Sequence, residues 1–353
     1  MRTEHPFHMH DAIYAQPGAL RLVGRGNGDI IAKAAERLRA MDHVILSGVG
    51  TSWHAALVGE LMLAQAGRLG HRARALHAFD LAAYGLAAPT RTGIIAVSHR
   101  GSARSAREAL ERVTPGDGVG VAVTGKESDG LSRADFTLRT VEQEASRAHT
   151  VSYTSALALL AMLAAEVGRD DGFRRALAGL ADHLALLLGQ ESWEELAKRF
   201  AGRRRYWFVG GGPNTATALE GALKMSETSY ATASGFNPEE FLHGPLAAMT
   251  SEDLVILVAP AGPSHARALD VARAARAVGT PVLAIVEEGD RDLAALAAET
   301  IEIAAVPELL TPILAVVPLQ LLSYHLALES GANPDTMRSH EPAYARALES
   351  FVP

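Results

Sequence analysis

Glu220, Lys224 and Glu227 stand at i, i+4 and i+7 in the run Ala218-Leu219-Glu220-Gly221-Ala222-Leu223-Lys224-Met225-Ser226-Glu227. That run reads as a helix, so the three side chains share one face. Two carboxylates beside an ammonium can take, hold and return a proton. A charged helix face is more often a solvated, salt-bridged stripe. Here the intervening Ala222, Leu223 and Met225 are apolar, and no lysine follows Lys224. Further on, Asn237-Pro238-Glu239-Glu240-Phe241-Leu242-His243-Gly244-Pro245 sets Glu240 three residues ahead of His243, before a Gly-Pro break. A lone histidine is more often structural. An acid at this spacing makes His243 a second candidate for acid–base chemistry.

Two loops have the composition to hold an anion. Gly48-Val49-Gly50-Thr51-Ser52 and Ser98-His99-Arg100-Gly101-Ser102 each combine glycine, hydroxyls and a following helix. Free N–H groups and the positive end of a helix dipole favour a phosphate there. Arg100 adds a fixed cationic fork. The plainer alternative is two tight turns with Ser52 and Ser102 as caps; the two loops together favour phosphate. The corresponding second-half loop, Ala259-Pro260-Ala261-Gly262-Pro263, has neither hydroxyl nor charge. One half would therefore bind phosphate while the other supplies other groups. A dinucleotide site is disfavoured, because Gly48-x-Gly50-x-x-Trp53 breaks the required glycine pattern.

The elements that must position these groups follow from hydrophobic periodicity. Short apolar runs at His43–Ser47, Gly93–Val97 and Gly120–Thr124 read as buried strands, with Asp135–Leu138 as a short fourth. Helices are expected over Ser52–Ala66 and over Ser102–Val113, the latter capped by Ser102. The pattern recurs at Tyr206–Val209, Leu254–Val258 and Val282–Val286, with helices from Asn214 and after Ser264. Gly48 and Gly50 match Gly210 and Gly212 at a separation of 162, and Ser102 matches Ser264 at the same offset. A fixed period argues for internal duplication. Continuous apolar strands alternating with helices predict a parallel sheet covered on both faces. In such a sheet ligands bind beyond the carboxyl ends of the strands, where both loops lie. Helical runs Val151–Val167 and Gly172–Leu188 lead to a loop at Gly189–Ser192, with Ser192 able to cap the next helix. A last helix, Leu309–Glu329, ends at Gly331.

Composition narrows the chemistry. The 353 residues suit two or three domains at about 100–200 residues each. Cysteine is absent, which removes thiolate nucleophiles, thiolate metal sites and disulfides. Only four lysines occur: Lys33, Lys126, Lys198 and Lys224. The net charge is −7, and no basic run exceeds Arg203-Arg204-Arg205, so nucleic acid is not an expected partner. No uninterrupted apolar stretch reaches about 18 residues. Leu309–Leu328 is broken by Pro312, Pro318, Gln320 and His325 and reads as a buried helix. The first residues lack the basic-then-apolar order of a signal peptide. A cytoplasmic protein is expected.

Gly50-Thr51-Ser52-Trp53-His54-Ala55-Ala56, Ser98-His99-Arg100-Gly101-Ser102, Ala218–Lys224, Ser229-Tyr230 and Glu240-Phe241-Leu242-His243-Gly244-Pro245-Leu246 together resemble the sugar isomerase (SIS) domain family. The likeness is greatest to the isomerase half of glucosamine-6-phosphate synthase, the glutamine–fructose-6-phosphate amidotransferase, and covers about residues 15–340. It implies an α/β fold of two tandem SIS domains, each a flavodoxin-like or Rossmann-like three-layer αβα parallel sheet related by duplication. The expected division is 1–190 for the N-terminal segment and first domain, 191–332 for the second domain, and 333–353 for a tail.

The resemblance also implies roles. Ser52, Ser98, Arg100 and Ser102, with Thr51 and His99, match the phosphate cradle, although the family's Ser-Gln-Ser-Gly-Glu-Thr reads here Ser98-His99-Arg100-Gly101-Ser102-Ala103. Glu227 matches the base that moves a proton between sugar C1 and C2. Lys224 matches a lysine beside the enediol oxygen. His243 matches the ring-opening histidine, which in the family can serve the neighbouring subunit of a homodimer. The family's Val-Ala-Ser-Thr-Lys appears as Arg147-Ala148-His149-Thr150-Val151. Gly50, His149, Thr150 and Glu240 are further pocket candidates. No metal and no organic cofactor is implied, and no membrane partner.

Two departures redirect the expectation. Without cysteine, the synthase's glutamine hydrolysis is not expected of this chain. The synthase's tail lysine, which forms an imine with fructose 6-phosphate, has no counterpart in Asn333-Pro334-Asp335-Thr336-Met337-Arg338-Ser339-His340-Glu341. A phosphosugar isomerase or a SIS-type glucosamine-6-phosphate deaminase is therefore expected. A fructosamine-6-phosphate deglycase and an ammonia-dependent aminating subunit are the catalytic alternatives. A non-catalytic sugar-phosphate sensor is the alternative of another class; such regulators carry a helix-turn-helix domain, for which the stretch ahead of His43 leaves no room.

Overall fold

The computed structural model describes residues 2–85, 90–114, 116–190 and 193–350. In chain order its elements begin with α1 (His8–Val23), α2 (Gly28–Arg39), β1 (His43–Ser47), α3 (Thr51–Gln65), β2 (Ala73–Ala75), α4 (Ala78–Tyr84), β3 (Thr92–Val97) and α5 (Arg104–Val113). Then come β4 (Val119–Thr124), β5 (Phe136–Arg139), α6 (Val151–Gly168), α7 (Asp171–Leu188) and α8 (Trp193–Phe200). The pattern resumes with β6 (Tyr206–Gly210), α9 (Asn214–Thr228), β7 (Ala233–Phe236), α10 (Pro238–Leu242), β8 (Leu254–Ala259) and α11 (His265–Val278). It closes with β9 (Val282–Glu287), α12 (Arg291–Ala294), β10 (Glu299–Ile303), α13 (Thr311–Glu329) and α14 (Pro342–Glu349).

The strands form two five-stranded sheets, ordered β2-β1-β3-β4-β5 and β10-β9-β8-β6-β7. Every pairing is parallel, from His43 opposite Thr92 in the first to Tyr206 opposite Leu254 in the second. Read from β7, the second order repeats the first, so the two sheets are copies of one flavodoxin-like topology. The central strands β3, β4 and β8 are buried at every position. That is why their sequences run apolar without alternation. In each copy the chain reverses direction across the sheet between the first and third strands. Parallel sheets bind ligands at such a switch point, beyond the strand ends.

Contacts group the chain into two compact units. One comprises Ala15–Glu144, His149–Ala181 and Glu341–Pro353, built on the first sheet. The other comprises Met1–Tyr14, Ala145–Ala148 and Asp182–His340, built on the second. In the first, α3 packs on α6; in the second, α9 packs on α13. Helices α6 and α13 are long and apolar enough to cross a membrane, yet both are almost wholly buried among other elements. They are core helices, as expected for Leu309–Glu329. Pro312 is accommodated in the first turn of α13, where its missing N–H has no partner to lose.

Several boundaries differ from expectation, with local causes. Helix α5 starts at Arg104 with Ala103 at its N-cap, so Ser102 does not cap it. Ser264 does occupy the N-cap of α11, but its side chain makes no capping hydrogen bond. Asp135 precedes β5 because its carboxylate accepts the Gly120 N–H at 2.8 Å. The proposed cap Ser192 lies outside the described residues. Strands β2, β7 and β10 were not anticipated.

Candidate functional site

The first sheet's switch point is a crevice lined by Thr51, Ser52, Ala55, Val97, His99, Val123, Thr140, His149, Ser152, Tyr153 and Ala156. Three helix starts and strand ends converge there. Gly50, at φ 57°, turns the chain from β1 into α3 and puts Thr51 and Ser52 in its first turn. The loop after β3 brings in His99. The start of α6 brings in His149, Ser152 and Tyr153. Among the expected cradle residues, Thr51, Ser52, His99 and His149 meet in this crevice. Ser98 is buried in the same loop, while Arg100 and Ser102 lie on its exposed side.

His99 is the most constrained of these groups. Thr140 Oγ1 donates to the Thr124 carbonyl at 3.1 Å, so it accepts the proton of His99 Nδ1 at 3.2 Å. The ring's Nε2 is buried without a hydrogen-bond partner. Burial, with the adjacent Arg100 charge, pushes the imidazole down to about 4, against a smaller pull from the Glu142 carbonyl. His99 is therefore neutral near pH 7 and presents Nε2 as an acceptor. Thr140 and Ser152 were missed in the sequence; each is a single hydroxyl at an element end, without a motif.

Glu144 orders the α6 side of the crevice. Its carboxylate accepts from Thr150 N (3.0 Å), Thr150 Oγ1 (3.1 Å), Ser152 N (2.9 Å) and Ser152 Oγ (2.5 Å). These donors include orphan N–H groups at the helix start. Thr150 is thus fully buried and spent on Glu144, and does not line the crevice.

In the second unit, helix α9 places its charged stripe in the interior. Lys224 and Glu220 have side-chain exposures of 1% and 0%, and Glu227 has 13%. Lys224 Nζ lies 2.5 Å from Glu227 Oε2 and 3.4 Å from Glu220 Oε1. The solvated-stripe alternative is excluded by this burial. Thr228 Oγ1 shares its one proton between the Lys224 carbonyl at 2.8 Å and the Ser323 carbonyl of α13 at 3.2 Å, which ties the helix pair. Burying three charges is expensive, and the attraction of Lys224 for the two carboxylates offsets that cost only while Lys224 remains. Glu227 is the more accessible of the two acids.

His243 follows α10 and is mostly exposed, at 73% of its side chain. Its Nε2 lies 3.2 Å from Glu239 Oε2, so the acid beside it is Glu239 at i, i+4 and not Glu240. Glu240 is exposed, and its N–H donates to the Asn237 cap. Glu239 also takes a two-pronged contact from Arg267, both bonds 2.8 Å, which holds its carboxyl below the usual range. The tail segment is pinned within the same unit. Asp335 accepts the His8 and Met9 N–H groups that open α1, at 2.9 and 2.8 Å. Tyr230 OH donates to the Asn333 carbonyl and accepts the Arg338 N–H, each 3.2 Å, with the Arg338 guanidinium 4.8 Å above its ring.

The SIS domain model matches residues 37–166 and 199–330. The chain is 32% identical over 350 residues to a glutamine–fructose-6-phosphate aminotransferase of Thermococcus kodakarensis, covering 96% of this chain and 58% of that protein. It thus spans a little over half the length of that relative. Among solved structures it superposes on the C-terminal domain of the Francisella tularensis glucosamine-fructose-6-phosphate aminotransferase with a TM-score of 0.84. Identity there is 21%, covering 94% of this chain and 98% of the other. A tagatose-6-phosphate ketose/aldose isomerase of Escherichia coli gives a TM-score of 0.82 at 19% identity, covering 96% of each chain. With two matched segments, one on each duplicated sheet, the chain belongs to the SIS domain family as a tandem-domain member.

Proposed function

We propose that the chain is a phosphosugar isomerase-type enzyme acting on an amino-sugar or hexose 6-phosphate. The buried Lys224–Glu227 pair carries this reading. It sets a partly accessible carboxylate against a fully buried ammonium, an arrangement suited to moving a proton and unnecessary for solubility. In this reading the phosphate is held by the N–H groups, Thr51, Ser52, Ser98, Arg100 and Ser102 of the loops after β1 and β3. His243, on its exposed turn, opens the sugar ring, in a homodimer for the site of the neighbouring subunit. Glu227 then carries a proton between C1 and C2 through an enediol or enolamine, and Lys224 stabilises the oxygen that gains charge. These steps call on backbone N–H groups and side chains of the chain, in a cytoplasmic enzyme.

One observation favours deamination or deglycation over amination. The segment Asn333–Glu341, held by Tyr230 and Asp335, contains no lysine to form an imine. Incubation with fructose 6-phosphate and glucosamine 6-phosphate, with and without ammonia, followed by product detection, tests both levels. Interconversion or ammonia release that disappears in Glu227→Gln supports the assignment. Turnover that survives Glu227→Gln rejects it, and binding of sugar phosphates without any turnover selects a sensor.

A further inference from the structure

The duplicated strand-end turns share a left-handed glycine. Gly50 sits at φ 57° and Gly212 at φ 56°. A Cβ on Gly48 would stand 2.5 Å from the Ser52 backbone, and one on Gly210 would stand 2.3 Å from that of Asn214. Each turn leads directly into a 15-residue helix, α3 or α9. The second cradle has one N–H fewer, because Pro213 stands where the first has Thr51, but it repeats the same glycine turn at the same strand end. Their occupants differ. The first crevice has no carboxylate among its lining residues. In the second, the Glu308 carboxylate lies against both flanking loops. A Cβ on Gly212 would meet its Oε1 at 3.3 Å, and a Cβ on Gly262 would meet it at 2.6 Å.

We propose that Glu308 closes the second switch-point crevice to anions, so that only the first of the two duplicated cradles takes a phosphate. The inference rests on the reading of the first crevice as the phosphate site and explains why its twin is not one. Glu308 is held in place from behind. Its carbonyl accepts from Thr311 Oγ1 at 2.7 Å, and Thr311 Oγ1 accepts from Asn214 Nδ2, at the start of α9, at 2.8 Å. Its carboxylate makes no hydrogen bond or ion pair among the described residues, and burial pushes its pKa up. The carboxylate therefore stands over the crevice without being satisfied by the helix starts around it. It presents negative charge and bulk where an anion would enter.

The first copy shows the alternative fate of an acid in the same segment. Each acid lies between the last strand of its sheet and the core helix that follows. Glu144 there turns back to cap α6 and leaves its crevice open, whereas Glu308, just ahead of α13, turns into the crevice. Ser264 also narrows the second crevice by packing on Gly211, but a hydroxyl can donate to an anion and a carboxylate cannot.

The test is titration of inorganic phosphate into the full chain labelled with 15N-glycine, for wild type, E308A and E308Q. In wild type the Gly50 amide shifts while Gly212 and Gly262 stay still. In E308A all three shift. Phosphate-dependent shifts of Gly212 and Gly262 in wild type overturn the proposal, as does their stillness in folded E308A. If E308A does not fold, E308Q removes the charge alone. Shifts at Gly212 and Gly262 then support the proposal at higher phosphate, and their absence overturns it. A Gly50 amide indifferent to phosphate in every variant defeats the reading of the first crevice, a result separate from the behaviour of Gly212 and Gly262.

Discussion

His99 and His149 meet edge to face, their ring centroids 5.2 Å apart and their planes at 78°. The fold holds His99 at about 4, below the 6.5 of a free imidazole, so the unfolded chain binds the extra proton. Stability is then fully present above pH 6.5 and is lost as the pH falls from there toward 4. The loss from His99 alone amounts to about 3 kcal/mol. His325, also pushed down to about 4 by burial, adds in the same direction. Urea midpoints at pH 7.5 and 5 should differ accordingly, and His99→Gln should flatten the slope. An unchanged slope in that variant would show that the imidazole is not held neutral.

Lys224→Met leaves Glu220 and Glu227 without their counter-charge in the interior. Thermal or denaturant unfolding should show a loss of about 3–5 kcal/mol. Glu227→Gln leaves one cation and one anion, so its stability should stay within about 1 kcal/mol of wild type while turnover falls by about 10²–10⁴-fold. The two variants separate the structural from the chemical use of one ion pair.

Glu144→Ala strips four donors at the start of α6 of their common acceptor. A loss of about 2–4 kcal/mol is expected, because the freed groups are buried. Hydrogen exchange should quicken first at Thr150 and Ser152. Exchange that stays slow there would show that water or a neighbour replaces the carboxylate.

Asp335→Ala removes the acceptor of the His8 and Met9 N–H groups. The expected loss is about 1–2 kcal/mol, with faster proteolysis ahead of His8. Asp335→Asn keeps one acceptor oxygen and should recover part of it. Equal losses in both variants would remove the capping role.

The central strands were legible because burial on both faces leaves an unbroken apolar signature, as in Leu254–Ala259. The short edge strands were not: Ala73–Ala75 has three residues, and Glu299–Ile303 mixes exposed Glu302 with buried Ile301 and Ile303. The spacing of Glu220, Lys224 and Glu227 gave their shared face but not its burial, which depends on α13 from far along the chain. Glu239 displaced Glu240 as the partner of His243 because Arg267, on another helix, fixes the Glu239 carboxylate beside it. Thr140, Glu144 and Glu308 carry no motif. Their importance comes from what tertiary structure sets opposite them.

The Asp335 cap on α1 joins residues 327 and 326 positions apart. During synthesis the N-terminal segment emerges long before its acceptor exists. The unit built on the first sheet draws its strands from chain that is complete by residue 181, whereas the other must close a loop of 327 residues. Such closure is slow in folding terms. The α1 segment therefore waits unsatisfied until Asp335 has been made, and conditions that stall elongation before that point would leave it open to proteases.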